Sequence, residues 1–386
     1  MASNEEIQPG EGTGWSDMFR GIRGVYTILL NVGIGVHAID IFVITTVMPA
    51  VVAEIGGVEF YAWTTMLYMV GTIVGAASGQ HARALLGRRK GYVASGLIFL
   101  VGALGCALSP NMAILLLFRT VEGIGGGLLM SQSMTLVNDL YTGRLRTRVL
   151  AAITTTWSIA AVIGPLIGGF WGNFGIWRGA FLTTSVLTLL FILAAWKVVP
   201  ESEKGARQRL PYRRLLLLGT SVILVGASGQ FDDLVLRSGL IVGGVLCLIL
   251  TLRLDRVENN LFPRRVLSLF APVGTAYWVF LLLSAAYTPL TIFLPLALSQ
   301  IYKLEPLWIG YVLTVFSIAW TVGSLGTAGW NDKWTRIVCA SGLAITAVSI
   351  LGISITLGNG SIWTLTVLVT FAGVGVGMTN VHSISW

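Results

Sequence analysis

Residues 112–137, MAILLLFRTVEGIGGGLLMSQSMTLV, read as a helix built for lipid. At 1.5 Å per residue the run is long enough to span a hydrocarbon core of about 30 Å, yet it carries Arg119 and Glu122 in its interior. A charge at the bilayer centre costs about 2.5–3.5 kcal/mol on insertion scales, so such residues face the protein interior or a water-filled cavity. The two stand three residues apart, which on a helix places them on one face within reach of each other. One reading is a self-compensating structural pair near the membrane edge. The other is functional: a carboxyl beside a guanidinium in low dielectric has a proton affinity that substrate or water can change, as coupling to a proton gradient requires. In that reading Glu122 carries the proton and Arg119 modulates it.

The rest of the chain has the same character. Of 386 residues 55% are hydrophobic and 11% charged, with a mean hydropathy of +0.81, whereas soluble domains carry about 25% charge. A soluble globular enzyme is thereby excluded. Windows of about 20 apolar residues predict twelve helices, near 25–50, 60–80, 91–109, 112–137, 150–171, 179–199, 214–230, 237–253, 272–299, 307–330, 336–356 and 361–385. The formal net charge of +8 does not signal a nucleic-acid binder, because the basic residues form no water-exposed face; they lie in the gaps between apolar runs. Alternate gaps collect Arg83, Arg88, Arg89 and Lys90, then Arg144, Arg146 and Arg148, then Lys197 to Arg214, while the intervening turns hold only Arg178, Arg237 and Lys303. By the positive-inside rule the amino terminus is expected to be cytoplasmic, and the chain reads as a multi-pass protein, for which the cell's inner (plasma) membrane is the expected location.

Residues 1–24 contain Glu5, Glu6, Glu11, Asp17, Arg20 and Arg23 without an apolar core, so they read as a cytoplasmic tail with no cleavable signal peptide. The segment PESEKGARQRLPYRR, 200–214, is the longest charged stretch and the natural boundary between two bundles; it reads as a solvated basic loop. At the other end GVGVGMTNVHSISW, 373–386, stops in an apolar run without a basic flank, which suggests an incomplete chain, a short natural terminus being the alternative.

A third intramembrane charge is Asp40, in HAIDIFVITTVMP, nine residues before Pro49 and one turn after His37. With no base on its own helix, Asp40 needs a proton or a partner from another helix; it reads as a proton site or cation contact, or else as a permanently neutral hydrogen-bonding acid. His37 reads more simply as a hydrogen-bonded helix-face histidine. In WSIAAVIGPLIGGFWG, Gly164 with Gly168 and Pro165 with Gly169 each share a face, and small residues at that spacing admit a close neighbour while the proline permits a bend. Gly123 and Gly127 read the same way. Cys106, Cys247 and Cys339 lack any metal-ligand or disulfide spacing, and neither HExxH, GxSxG nor a nucleotide-binding G-x(4)-G-K-[ST] run occurs. No metal, cofactor or enzymatic activity is therefore expected, and the energy for any transport must come from an ion gradient or from the substrate's own.

Together these segments resemble the major facilitator superfamily, most closely its fourteen-helix drug:proton antiporter branch. Asp40 with Pro49 is similar to that branch's first-helix acidic motif, and Trp63 with Tyr68 to its W-x(4)-Y pattern. FRTVEGIGGG resembles the fourth-helix R-x-x-Q-G-x-G at Arg119, Gly123 and Gly125; GPLIGG resembles G-P-x-x-G-G at Gly164, Pro165, Gly168 and Gly169; IWRGAFL resembles W-R-x-x-F at Trp177, Arg178 and Phe181. Two departures stand out. SGQHARALLGRRKGY keeps the cytoplasmic loop motif at Gly87, Arg88 and Arg89 but has Ala84 where the family's aspartate is expected, and Glu122 replaces the usual glutamine. The first implies a cytoplasmic latch weakened or rebuilt; the second adds a titratable group beside the family's coupling arginine.

The resemblance implies an all-α integral membrane transporter with a six-helix bundle over 25–199, a linker at 200–213, two additional helices over 214–253, a loop at 254–266, and a second bundle over 267–386 with four helices present. EPLWIG, with Pro306 and Gly310, resembles the branch's motif in the second bundle. The implied function is secondary active multidrug efflux: a monomer in the lipid bilayer exporting small amphipathic or cationic compounds in exchange for protons by alternating access. Asp40, Arg119 and Glu122 are the expected coupling and substrate residues. Trp63, Tyr68, Trp157, Tyr277, Trp278 and Tyr287 are aromatic candidates for contact with a substrate, although most such residues serve packing or the lipid interface. The alternatives are an exporter of one metabolite, siderophore or sugar, and a non-transporting receptor or scaffold, against which the insertion cost of the three charges argues.

Overall fold

The computed structural model describes residues 16–141, 143–201, 210–255, 262–263, 266–327 and 332–384. Most of the tail, the linker and the 254–266 loop, and the last two residues, lie outside the described residues. Among the described residues there are short 3-10 helices at Ser16–Phe19 and Val58–Phe60 and twelve α-helices: α1 Gly21–Ile55, α2 Tyr61–Leu86, α3 Arg88–Ala107, α4 Met112–Leu140, α5 Gly143–Asn173, α6 Arg178–Val198, α7 Tyr212–Ser228, α8 Leu234–Leu254, α9 Pro272–Gln300, α10 Pro306–Thr327, α11 Asp332–Thr356 and α12 Ile362–Ile384. Among the described residues eleven spans are long and apolar enough to cross a membrane. The exception is α7, whose 17 residues reach only about 26 Å.

Several helices, α1, α2, α4 and α5 among them, extend past the apolar windows. α1 covers 35 residues and α5 covers 31, because hydropathy marks the lipid-exposed middle of a helix while its backbone hydrogen bonds continue into the polar margin. α4 starts at Asn111, whose side chain accepts the Ile114 N–H at 3.0 Å and so caps one of the free donors at the helix start. The α2–α3 connection is a single glycine: Gly87 adopts φ 78°, a conformation that L side chains disfavour.

Two compact units are formed, Met1–Asp40 with Trp63–Ile159 and Phe181–Leu248, and Ile41–Ala62 with Ala160–Ala180 and Ile249–Trp386. In the first, Leu29, Phe99, Leu129 and Phe191 centre one apolar cluster, and Leu30, Ile34, Val137 and Val149 another. In the second, Leu298, Leu313, Leu365 and Val369 are buried together. Lipid tails are as apolar as leucine, so helices in a bilayer gain from close packing rather than from leaving water. Glycines supply that closeness. A Cβ on Gly123 or Gly127 of α4 would collide with the backbone of α2 at Tyr68 and Thr72, and one on Gly125 would strike the α3 backbone at Phe99. α4 is thus clamped between two neighbours over the stretch that follows its charged residues.

Candidate functional site

The clamp around α4 sets the geometry of its charges. Close approach of α3 at Gly102 brings that backbone against Glu122, and close approach of α2 at Gly123 holds Tyr68 beside Arg119. Asp40 comes from α1. Arg119 Nη1 donates to Asp40 Oδ2 and to Glu122 Oε2, each at 2.7 Å. All three residues are fully buried. One nitrogen of one guanidinium therefore serves two carboxyls, while Asp40 Oδ1 and Glu122 Oε1 receive no hydrogen bond. Buried charges persist only when paired and hydrogen-bonded. One positive charge against two carboxyls leaves a deficit of one, which a single proton on either carboxyl, or a monocation in its place, would make good.

Further side chains complete the cluster. The Tyr68 ring lies over the guanidinium, its centroid 4.0 Å from Arg119 Cζ, and its hydroxyl is 2.8 Å from His37 Nδ1. The His37 ring meets Trp157 edge-on at 6.0 Å. The Cys106 thiol approaches Glu122 Oε2 at 3.5 Å. Arg119 and Glu122 could be joined from their spacing alone; Asp40 could not, since its partner sits 79 positions away. The contributions of Cys106 and of the His37–Tyr68 pair carried no separate signal in the sequence, although Tyr68 belongs to the W-x(4)-Y pattern.

The other residues singled out from sequence lie elsewhere. Gly164 and Pro165 are buried in α5; a Cβ on Gly168 would meet Val43 O of α1 at 2.8 Å, one on Gly169 would meet Pro306 O of α10 at 2.9 Å, and one on Gly310 would meet Pro165 O at 2.6 Å. Trp177 donates to Glu54 Oε2 at 2.8 Å and Arg178 pairs with Glu54. At the α2–α3 turn, Arg83 and Arg88 both pair with Asp139 near the end of α4, and Arg89 donates to Val199 O at 2.7 Å and to Glu201 at 3.2 Å. The acid at this turn is thus Asp139, reached across helices, and Ala84 is simply buried. Tyr141, just beyond α4, shares a 2.8 Å hydrogen bond with Thr27, and burial pushes its phenol above the ordinary tyrosine range. Of the remaining aromatic candidates, Trp63 lies near Gly226 of α7, Trp278 donates to Leu267 O, Tyr277 is exposed, and Tyr287 packs on Trp320.

Known proteins are similar to this chain in sequence or in fold. A probable multidrug-efflux transporter of Mycobacterium tuberculosis is 29% identical over 381 residues, covering 94% of this chain and 80% of the relative. Multidrug resistance protein 3 of Bacillus subtilis is 25% identical over 365 residues, covering 90% and 69%. Among solved structures, the inward-open xylose transporter XylE from E. coli superposes with a TM-score of 0.62 at 14% identity, over 94% of this chain and 82% of that one. Residues 30–386 match the model of the Major Facilitator Superfamily, and with that match spanning nearly all of an all-helical, multi-pass fold, the chain belongs to the Major Facilitator Superfamily.

Proposed function

We propose that the protein is a secondary active transporter that exports small amphipathic or cationic compounds in exchange for protons by alternating access. The observation that carries the reading is the buried cluster in which Arg119 serves both Asp40 and Glu122 through one nitrogen. With both carboxyls ionised the cluster bears a charge of minus one. In a dry, low-dielectric site that charge is expensive, and a proton or a cationic substrate each cancels it, but both together overshoot. Alternate occupancy by one or the other is what exchange requires. Names of the relatives, which speak of multidrug efflux, favour amphipathic drugs over a nutrient as cargo.

In this reading Asp40 and Glu122 are the proton-bearing groups and Arg119 sets which of them holds the proton. Helices α1 to α6 form the amino-terminal bundle and α9 onward the second; α7 and α8 are the additional pair of the fourteen-helix branch, a role supported by their mutual packing, where Ser221 donates to Gly244 O at 2.7 Å. The GPLIGG segment of α5 is the hinge, and the amino terminus is cytoplasmic. Proton flux in inverted membrane vesicles on addition of lipophilic cations tests the proposal. Wild type should collapse an imposed pH gradient when substrate is added. Asp40→Asn and Arg119→Ala should not, while remaining in the membrane. Wild-type flux in Asp40→Asn would remove Asp40 from the mechanism, and no flux in wild type with any cation would move the protein towards a narrow-substrate carrier.

A further inference from the structure

The His37 side chain is fully buried, and it stands one helical turn from Asp40. Its surroundings are made by four helices: Asp40 lies on its own α1, the Tyr68 hydroxyl comes from α2, Arg119 with its partner Glu122 from α4, and the Trp157 edge from α5. Room for it is made by Gly126. A Cβ at that position would strike the imidazole and come within 3.1 Å of the Tyr68 hydroxyl. The run of three glycines in α4 thus has two duties, since Gly125 and Gly127 admit neighbouring helices while Gly126 admits a side-chain hydrogen bond.

We propose that His37 is a positioning residue for the Asp40–Arg119–Glu122 cluster, acting through Tyr68. The hydrogen bond between the Tyr68 hydroxyl and His37 Nδ1 fixes the phenol ring, and the ring face in turn fixes the Arg119 guanidinium. A phenol held at one end cannot tilt away from the cation, and cation–π attraction is strengthened in a desolvated site. The guanidinium is then directed with Nη1 towards both carboxyls at once. Loss of the anchor lets Arg119 settle on one carboxyl and releases the other, which changes how readily the pair takes up a proton. The role needs a hydrogen-bonding atom at the Nδ1 position and does not need imidazole to titrate.

The inference rests on the proton-coupled reading of the same cluster, so its test includes a readout that does not depend on transport. The carboxyl stretch of Asp40 and Glu122, followed by infrared difference spectroscopy on reconstituted substrate-free protein, reports their titration directly. His37→Leu and Tyr68→Phe should each move its midpoint by about one pH unit, the equivalent of one charge-assisted hydrogen bond. The double variant should move it no further. Gly126→Ala should reproduce the shift without removing any polar group, because its Cβ would push the imidazole away from the Tyr68 hydroxyl. His37→Asn, whose Oδ1 falls near the place of Nδ1, should restore the wild-type titration. An unmoved titration in Tyr68→Phe and His37→Leu, or a His37→Asn variant that behaves like His37→Leu, overturns the proposal; if His37→Leu does not fold, Tyr68→Phe with Gly126→Ala decides. Should the shifts appear as expected in a protein that moves no protons against any cation, the positioning role stands and the exchange reading fails.

Discussion

α4 in one unit and α12 in the other are packed by the same device. Gly123 and Gly127 lie against the α2 backbone at Tyr68 and Thr72, and Gly373 and Gly377 against the α10 backbone at Phe316 and Trp320. The contacts are reciprocal, with Gly75 of α2 against Ile124 and Gly323 of α10 against Val374. Between them Gly125 meets α3 and Gly375 meets α11. This register pairs Arg119 with Val369, Glu122 with Ala372 and Tyr68 with Phe316, and every one of the six is buried. The two helices therefore share their interhelical glycines but differ in two charges and in Val376 standing where α4 has Gly126, while the neighbouring ring, Phe316 of α10 against Tyr68 of α2, lacks the hydroxyl. Packing is satisfied without the polar groups, as α12 demonstrates. Close helix packing alone therefore does not call for them, which supports the proposal that they serve chemistry.

The comparison is broken most severely at what the two helices share. Gly127→Leu and Gly377→Leu each drive a side chain into a neighbouring backbone, and overpacking costs about 1–3 kcal/mol even where side chains can adjust; here the obstacle is main chain. Both variants should fail to give a monodisperse, cooperatively melting protein on size-exclusion chromatography and thermal denaturation. A stable Gly377→Leu with an unstable Gly127→Leu would show that the two scaffolds are not equivalent.

Next in size is removal of what they do not share. Arg119→Met strands two buried carboxyls, and breaking a buried ion pair typically costs about 3–5 kcal/mol, so a large drop in melting temperature should accompany the loss of proton-coupled flux. The matching change Val369→Ala only trims an apolar contact and should leave flux within twofold of wild type. Glu122→Gln lies between. It leaves one carboxyl for one guanidinium, a cluster neutral without any proton, so the variant should fold well and show an altered pH profile of efflux. An unchanged profile would assign Glu122 to structure alone.

How far the sequence reveals all this depends on whether the relevant partners are near or far along the chain. The twelve helices were visible as apolar runs because lipid exposure writes itself into composition, although the true ends of α1 at Ile55 and α2 at Leu86 lie beyond the apolar windows, where helix continues without hydrophobicity. The Arg119–Glu122 contact follows from helical spacing. Asp40 and Asp139 find their partners on other helices, at separations where no local period operates, so their identities as ligands of Arg119 and of Arg83 and Arg88 emerge only in three dimensions. The loop motif shows the limit most clearly, since an acid absent at Ala84 is supplied by a residue more than fifty positions away.

The smallest effect concerns the hydroxyl. Phe316 sits in α10 where Tyr68 sits in α2, but position 369, which corresponds to Arg119, is valine. Phe316→Tyr would add a hydroxyl to a buried ring in an apolar cluster, and an unsatisfied buried donor costs about 1–3 kcal/mol. The expected outcome is a melting temperature lowered by a few degrees and a pH profile of efflux superimposable on wild type. In Tyr68→Phe the balance is reversed, with a modest stability change and a displaced pH profile, because there the hydroxyl has a partner and the ring has a cation. A Phe316→Tyr variant that displaces the pH profile as well would mean that the second unit also tunes protonation, and the division between a charged helix that couples and a neutral helix that packs would have to be given up.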